Sequence, residues 1–343
     1  MIKLGFLRSL WKCSFMGLGI MVFMISCAPT PVERKPEVRR TCAQCHPELV
    51  AEFEAGVVHQ PIREKDCEAC HLPHGLVPTI LLLQPVPAVC LPCHEEFKES
   101  ESKTSVHEPV ARGECESCHD PHNSEHANLL NDPSKTLCFN CHEQEPFTRT
   151  TVHAPVNDGC ITCHTPHMAD QPGLLTMFRD DLCGSCHEIG SREFNTAHQD
   201  YPVTTRCTNC HAQHSSSDPG LLREVVHEPV RSGDCNDCHQ VQGSTIKLLS
   251  FDGGLCLECH DQAQGVTSPH PAATEGDGCL SCHAPHAAEH GSLLVAEDAG
   301  LCFTCHSDVE QAQNSKVNHV PFVEGMCSSC HDPHGSDARA ILK

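Results

Sequence analysis

Aromatic side chains are scarce in this chain. Its 343 residues hold one Trp, one Tyr and 12 Phe, and Trp11 with three of the Phe falls in the first 26 residues. Tyr201 and nine Phe remain, too few to fill an apolar core for a polypeptide of this size. Methionine is almost as rare: beyond the leader only Met168, Met177 and Met326 occur. Basic residues are few, 23 against 45 acidic ones, for a net charge of −22. Removal of the leader takes away Lys3, Arg8 and Lys12 and no acid, which moves the charge to −25. A polyanion of this kind excludes nucleic acid as a partner and steers basic or metal-bearing redox proteins towards itself.

What is abundant is cysteine and histidine, 28 of each. Twenty-six of the cysteines fall in thirteen copies of Cys-x-x-Cys-His. The copies are Cys42/Cys45/His46, Cys67/Cys70/His71, Cys90/Cys93/His94, Cys115/Cys118/His119, Cys138/Cys141/His142, Cys160/Cys163/His164, Cys183/Cys186/His187, Cys207/Cys210/His211, Cys235/Cys238/His239, Cys256/Cys259/His260, Cys279/Cys282/His283, Cys302/Cys305/His306 and Cys327/Cys330/His331. Zinc ribbons, structural disulfides and thioredoxin-like pairs also use paired cysteines, but none needs a histidine after every pair. The pentapeptide is the attachment site of a c-type haem: the thiols add across two vinyl groups and the histidine ligates the iron. Thirteen covalent haems would supply the apolar area that the side chains lack. About 24 residues of the chain from Cys27 onward serve each site, which predicts short helices at the motifs, irregular chain elsewhere and no sheet of any size.

Residues 1–26 read as a lipoprotein signal. Lys3, Arg8 and Lys12 form a positive n-region, and residues 13–26 form an apolar segment of 14 residues. That segment is short for a membrane span, which needs roughly 20 apolar residues. Met24-Ile25-Ser26-Cys27 has the form of a lipobox, so Cys27 is expected to be lipidated and to become the mature N-terminus. Ala28 in place of Asp leans towards the outer membrane, and the Pro-rich, charged stretch up to residue 41 reads as a tether. The expected location is periplasmic or outer-membrane, which suits haem attachment outside the cytoplasm.

Each iron then needs a sixth ligand, and Met is in short supply. Fifteen histidines lie outside the motifs. Seven precede a motif by seven to nine residues, typically as Val-His-x-Pro: His59, His107, His153, His198, His227, His270 and His319. Six follow a motif as His-x-x-His: His74, His122, His167, His214, His286 and His334. Together they number thirteen, one per iron. His126 and His290 remain; they read as exposed side chains, with surface metal or a neighbouring subunit's haem as alternatives.

Sites preceded by an upstream histidine are termed late: those at Cys67, Cys115, Cys160, Cys207, Cys235, Cys279 and Cys327. The others are early. The two kinds alternate with one break, because late Cys235 follows late Cys207 directly; Cys235 is also the late site with Gln-Val-Gln where the downstream histidine would stand. This matching loss predicts six dihaem modules, 42–74, 90–122, 138–167, 183–214, 256–286 and 302–334, and a single-haem insert at 227–239. In the predicted wiring, the downstream histidine of a module closes its own early haem and the upstream histidine closes its own late haem. Successive early cysteines lie 48, 48, 45, 73 and 46 residues apart, a repeat signature. Between modules stand Leu pairs such as Leu129-Leu130 and Leu293-Leu294, expected to clamp a haem face.

The unit at 90–122, Cys-x-x-Cys-His, then Val-His-x-Pro, then Cys-x-x-Cys-His-x-Pro-His, resembles the doubled-CXXCH multihaem cytochromes c. The resemblance covers residues 42–334 and departs from the pattern at Cys235 and at Gln213, where Pro is usual. It implies an elongated, haem-cored repeat array that carries electrons outside the cytoplasm, with redox proteins as partners and a porin seat or an end-to-end filament as forms of assembly. Bis-His ligation without Met implies low potential. The alternative is a multihaem reductase or oxidase with one open iron; no Cys-x-x-Cys-Lys occurs, and Tyr201 is the one tyrosine.

Overall fold

The computed structural model describes residues 40–73, 81–250, 254–261, 265–313, 315 and 319–343. No element in it is long. Eleven attachment motifs close a helical turn in which the histidine N–H donates to the carbonyl of the first cysteine, as in His46 to Cys42 at 2.8 Å and His331 to Cys327 at 3.1 Å, while His71 and His239 begin strands. Positions i, i+3 and i+4 share one face of such a turn, so both thiols and the imidazole point the same way. The Val-His-x-Pro segments have their own local logic. The β-branched residue favours extended chain, and Pro sits in the first helical turn, where no N–H is needed. Hence Val57–Val58 is a strand and Gln60–Arg63, beginning Gln-Pro, is a helix.

The strands form two-stranded antiparallel sheets. Five of these sheets join distant parts of the chain. Val57–Val58 pairs with Asn123–Ser124, Ser105–Val106 with Met168–Ala169, and Thr151–Val152 with Ser215–Ser216. Val225–Val226 pairs with Ala287–Ala288, and Ser268–Pro269 with Gly335–Ser336. In each, the strand before an upstream histidine meets the residues just after the downstream histidine of the next module.

The Leu pairs fold back onto their own late motif. Leu130, Leu175, Leu222, Leu294 and Leu342 form β-bridges with His119, His164, His211, His283 and His331. Left-handed residues make the reversal, among them Asn128 (φ 58°) and Leu129 (φ 60°) in the second module and Ser292 (φ 57°) and Leu293 (φ 60°) in the fifth. Among the described residues the only apolar side chains that are buried are alanines: Ala169, Ala212, Ala287 and Ala288. Leu, Ile and Phe side chains stay partly or fully accessible, so the polypeptide forms no large apolar core of its own. No described helix is long and apolar enough to cross a membrane.

Candidate functional site

The thirteen motifs follow one another in space in chain order. Within every module the first cysteines of the two motifs meet: Cys42 with Cys67, Cys90 with Cys115, Cys138 with Cys160, Cys183 with Cys207, Cys256 with Cys279, and Cys302 with Cys327. Burial, reinforced by the neighbouring thiol, pushes Cys138 and Cys207 up to about 11. Between modules the second cysteines approach, Cys70 to Cys93, Cys118 to Cys141, Cys163 to Cys186, Cys238 to Cys259 and Cys282 to Cys305. The remaining step, Cys210 to Cys235, uses the first cysteine of the second site.

Two cysteines predicted as attachment residues depart from this pattern. Cys45 and Cys330 are the second cysteines of the first and last motifs, and both are exposed. Among the described residues no thiol of another motif lies against either. Exposure itself does not set them apart, since Cys93, Cys141, Cys186, Cys259 and Cys305 are exposed as well. The physical reason is position: an end motif has a neighbour on one side only, and its first cysteine takes that neighbour. Their backbone keeps the motif's turn, with Cys45 N–H donating to the Thr41 carbonyl at 3.3 Å and Cys330 N–H to that of Cys327 at 3.2 Å.

The histidines form facing pairs. Two metal–imidazole bonds of about 2 Å each, plus the two half-rings, separate ring centroids by about 6 Å. Eleven pairs have this spacing. Upstream histidines face the proximal histidine of the next early site: His59–His94 at 6.2 Å, His107–His142 at 6.1 Å, His153–His187 at 6.0 Å, His227–His260 at 6.0 Å and His270–His306 at 6.2 Å. Downstream histidines face the proximal histidine of the preceding late site: His71–His122 at 6.1 Å, His119–His167 at 5.9 Å, His164–His214 at 6.1 Å, His239–His286 at 5.8 Å and His283–His334 at 6.0 Å. One pair closes locally, His198–His211 at 6.2 Å.

The predicted wiring within modules is therefore corrected: ten of these eleven pairs cross from one module to the next, or between the insert and the fifth module. The strand pairs are the cause. His59 donates its backbone N–H to the carbonyl of His122 at 2.9 Å, so these two imidazoles stand back to back and face different partners. The same bond joins His107 to His167, His153 to His214, His227 to His286 and His270 to His334. The local closure at Cys207 gives the Cys235 anomaly a new meaning. A downstream histidine after His239 would have served Cys207, and His198 serves it instead. His74 lies outside the described residues, as does Cys27. His319 and His331 are both described, and no ring contact joins them, against the expected closure of the last late site.

Carbonyl acceptors orient the rings. His59 Nδ1–H donates to the Pro121 carbonyl at 2.8 Å, and His227 Nδ1–H to that of Pro285 at 2.9 Å. Gln213 fills the same role for His153 at 3.0 Å, because only the backbone carbonyl is used. Proximal His119, His164, His211, His283 and His331 donate to carbonyls of the fold-back turns, at 2.8–3.0 Å. A ring that donates through Nδ1 keeps a lone pair on Nε2 for a metal. Burial lowers the pKa of His71, His167, His211, His214, His270 and His286 and favours the neutral form that ligation requires. Paired thiols, facing neutral imidazoles and an open apolar surface fit a haem at such a site.

The chain's few phenylalanines back the distal rings, which the sequence reading missed. Phe53 stacks on His122 at 4.5 Å, Phe97 meets His167 edge-on at 5.0 Å, and Phe147 lies 4.5 Å from His214. Their placement seven to eleven residues after an early motif was the available signal. His126 and His290 cap the fold-back turns; His290 Nδ1 lies 3.6 Å from the Glu297 carboxylate.

Comparison with protein families gives a match to the model described as "Doubled CXXCH motif" at residues 59–99, 107–147, 153–191, 227–265, 270–311 and 319–343. Each of the first five segments runs from an upstream histidine to beyond the early motif whose histidine it faces. The unmatched stretch between 191 and 227 holds Cys207, the locally closed site. Among curated proteins no match was found.

Proposed function

The chain belongs to the doubled CXXCH motif family of multihaem c-type cytochromes, and from that premise we propose that it carries electrons through thirteen covalent haems, all but the terminal sites closed by the facing histidines described above. Haem c, when bound, supplies a one-electron iron couple. The chain's residues do the rest. Each cysteine pair adds its S–H groups across two vinyl double bonds and so fixes one edge of the ring. The carbonyl-tethered imidazoles fix its two faces, and the fold-back Leu pairs cover its proximal side. Histidine on both faces leaves no position for substrate and favours low potential, since Met ligation raises it. Met177 and Met326 are 40% and 45% exposed.

The observation that carries this reading is the unbroken succession of neighbouring thiols from Cys42 to Cys327. A row of sites in contact order is what a conductor needs and what a single-site enzyme does not. The test is a pyridine haemochrome assay against intact mass, on protein from a host that matures c-type cytochromes. Thirteen haems are expected, and a count well below that overturns the reading. We further propose export as a lipoprotein anchored through Cys27 to the periplasmic side or the outer membrane, and exchange with basic redox proteins. The supports are the lipobox form and the net charge of −22. Cys27→Ser should move the protein to the soluble fraction.

A further inference from the structure

The Cys207 site holds its facing imidazole differently from the crossed sites. Each crossed pair includes an imidazole secured by a strand pair between units. His198 instead follows the six-residue helix Arg192–Ala197 and gives both its backbone N–H (3.2 Å) and its Nδ1–H (2.8 Å) to the carbonyl of Phe194 in that helix. Phe194 also supplies the ring that lies against it, tilted by 32° with centroids 4.3 Å apart. Helix, phenyl ring and imidazole can therefore move as one piece without opening a sheet. The residues that follow, Gln199 (φ 53°) and Asp200 (φ 59°), are left-handed without being glycine, a conformation that persists only while its surroundings enforce it. The enforcement comes from side chains: Gln199 lies against Gly233, and the Tyr201 hydroxyl donates to Asn236 Oδ1 at 2.8 Å. On its outer side, at Arg192, Glu193, Thr196 and Ala197, the helix is exposed rather than packed against other chain. The two rings also cross at 69°, whereas the neighbouring His227–His260 and His239–His286 pairs lie at 24° and 20°.

We propose that His198 is a releasable ligand, and that the haem at Cys207 is where this chain binds a small neutral π-acceptor such as carbon monoxide or nitric oxide. The proposal rests on the ligand reading above. In the exchange the dative bond from His198 Nε2 breaks and one from the incoming diatomic forms; no electron or proton changes hands. Contact with the Cys235 unit through Gln199 and Tyr201 ties the exchange to the joint between the two halves of the row.

The test is carbon monoxide titration of the fully reduced holoprotein, with stoichiometry and uptake rate read from the Soret band. Wild type should bind a countable amount at a rate that becomes independent of gas concentration, because loss of His198 limits it. His198→Ala should bind the same amount, with the slow phase replaced by one proportional to gas concentration. His227→Ala, which opens a crossed site, should bind one equivalent more than wild type. Tyr201→Phe should keep the wild-type amount and quicken the slow phase, which keeps the question decidable if His198→Ala fails to fold. No uptake by wild type overturns the proposal, as does one extra equivalent in His198→Ala. No extra equivalent in His227→Ala would instead overturn the ligand reading on which the proposal stands.

Discussion

Two kinds of joint hold the row together. At a crossed joint, such as that between the first and second modules, a strand pair sets two histidines back to back and each reaches into the other module's territory. The joint between Cys207 and Cys235 has no crossed histidine. It relies on charge: Arg149 meets Glu145 at 2.8 Å, Glu224 at 3.1 Å and Glu289 at 2.8 Å, with its side chain 19% exposed. Around it lie the best-buried side chains among the described residues, Ser215, Ser216, Ala287 and Ala288. These come from two neighbouring strand pairs, and Arg149 bridges them across 140 positions of sequence. Where a shared ligand is missing, the polypeptide builds the nearest thing it has to a core of its own. Carboxylates that hydrogen-bond the guanidinium raise its pKa well above the ordinary arginine value, so the charge is permanent.

The contrast is sharpest for ligands. His286→Ala removes a crossed imidazole and should cost about 2–4 kcal/mol, in the range of a lost covalent staple. His198→Ala should cost less than half of that, since no second unit is released. Thermal unfolding followed at the haem bands measures both, and equal losses would erase the distinction between the joints.

Arg149→Met comes next. It leaves Glu224 and Glu289 facing each other and should cost about 1–3 kcal/mol. Limited proteolysis between residues 198 and 227 should then release two halves that separate on a sizing column. Lys103, which meets Asp170 at 3.0 Å beside a crossed joint, is the control: Lys103→Met should cost under about 1 kcal/mol and free no half.

At Gly56 (φ 72°) a Cβ would strike the backbone carbonyl of Ser124, across the first crossed strand pair. Gly56→Ala should cost about 1–2 kcal/mol and weaken His59 and His122 together, visible as two perturbed haems rather than one.

The smallest effect concerns Asp337, beside the last crossed joint. Thr267 donates its backbone N–H (2.9 Å) and hydroxyl (2.8 Å) to this carboxylate and holds its pKa below the ordinary value. A depressed folded pKa gives stability that is present above the ordinary carboxylate range and lost as pH falls through the depressed value. Asp337→Asn should remove that pH dependence and change little else. An unchanged difference in melting temperature between the two proteins across the acid range would count against it.

The Cys-x-x-Cys-His motifs, and with them the family, were legible because their chemistry is local: five consecutive residues hold both thiols and the histidine. The pairing of motifs into modules was legible too, and Cys42–Cys67 through Cys302–Cys327 do meet. That Cys45 and Cys330 have no neighbouring thiol among the described residues was not, because a five-residue motif does not record whether another follows it in space. Nor was the wiring. Val-His-x-Pro and His-x-Pro-His mark both ends of a strand pair, but a two-residue strand carries no register of its own. Which copy of one meets which copy of the other is decided by the three-dimensional repeat. His198 carried no readable warning: it lacks the Val before it and the Pro two residues after it, but so does His270, which makes a crossed pair. The backing phenylalanines escaped because only contact shows that Phe53 serves His122, 69 residues away.

Crossing also has a consequence in time. His71 faces His122, 51 residues further along. A chain synthesised from its N-terminus thus leaves a crossed late site half-closed until the following unit arrives and its strand finds a partner. Maturation then proceeds as a zip, with every new unit completing the one before it. Among the late sites Cys207 stands apart: its partner His198 precedes it, so it can close at once and divide the zip into two runs.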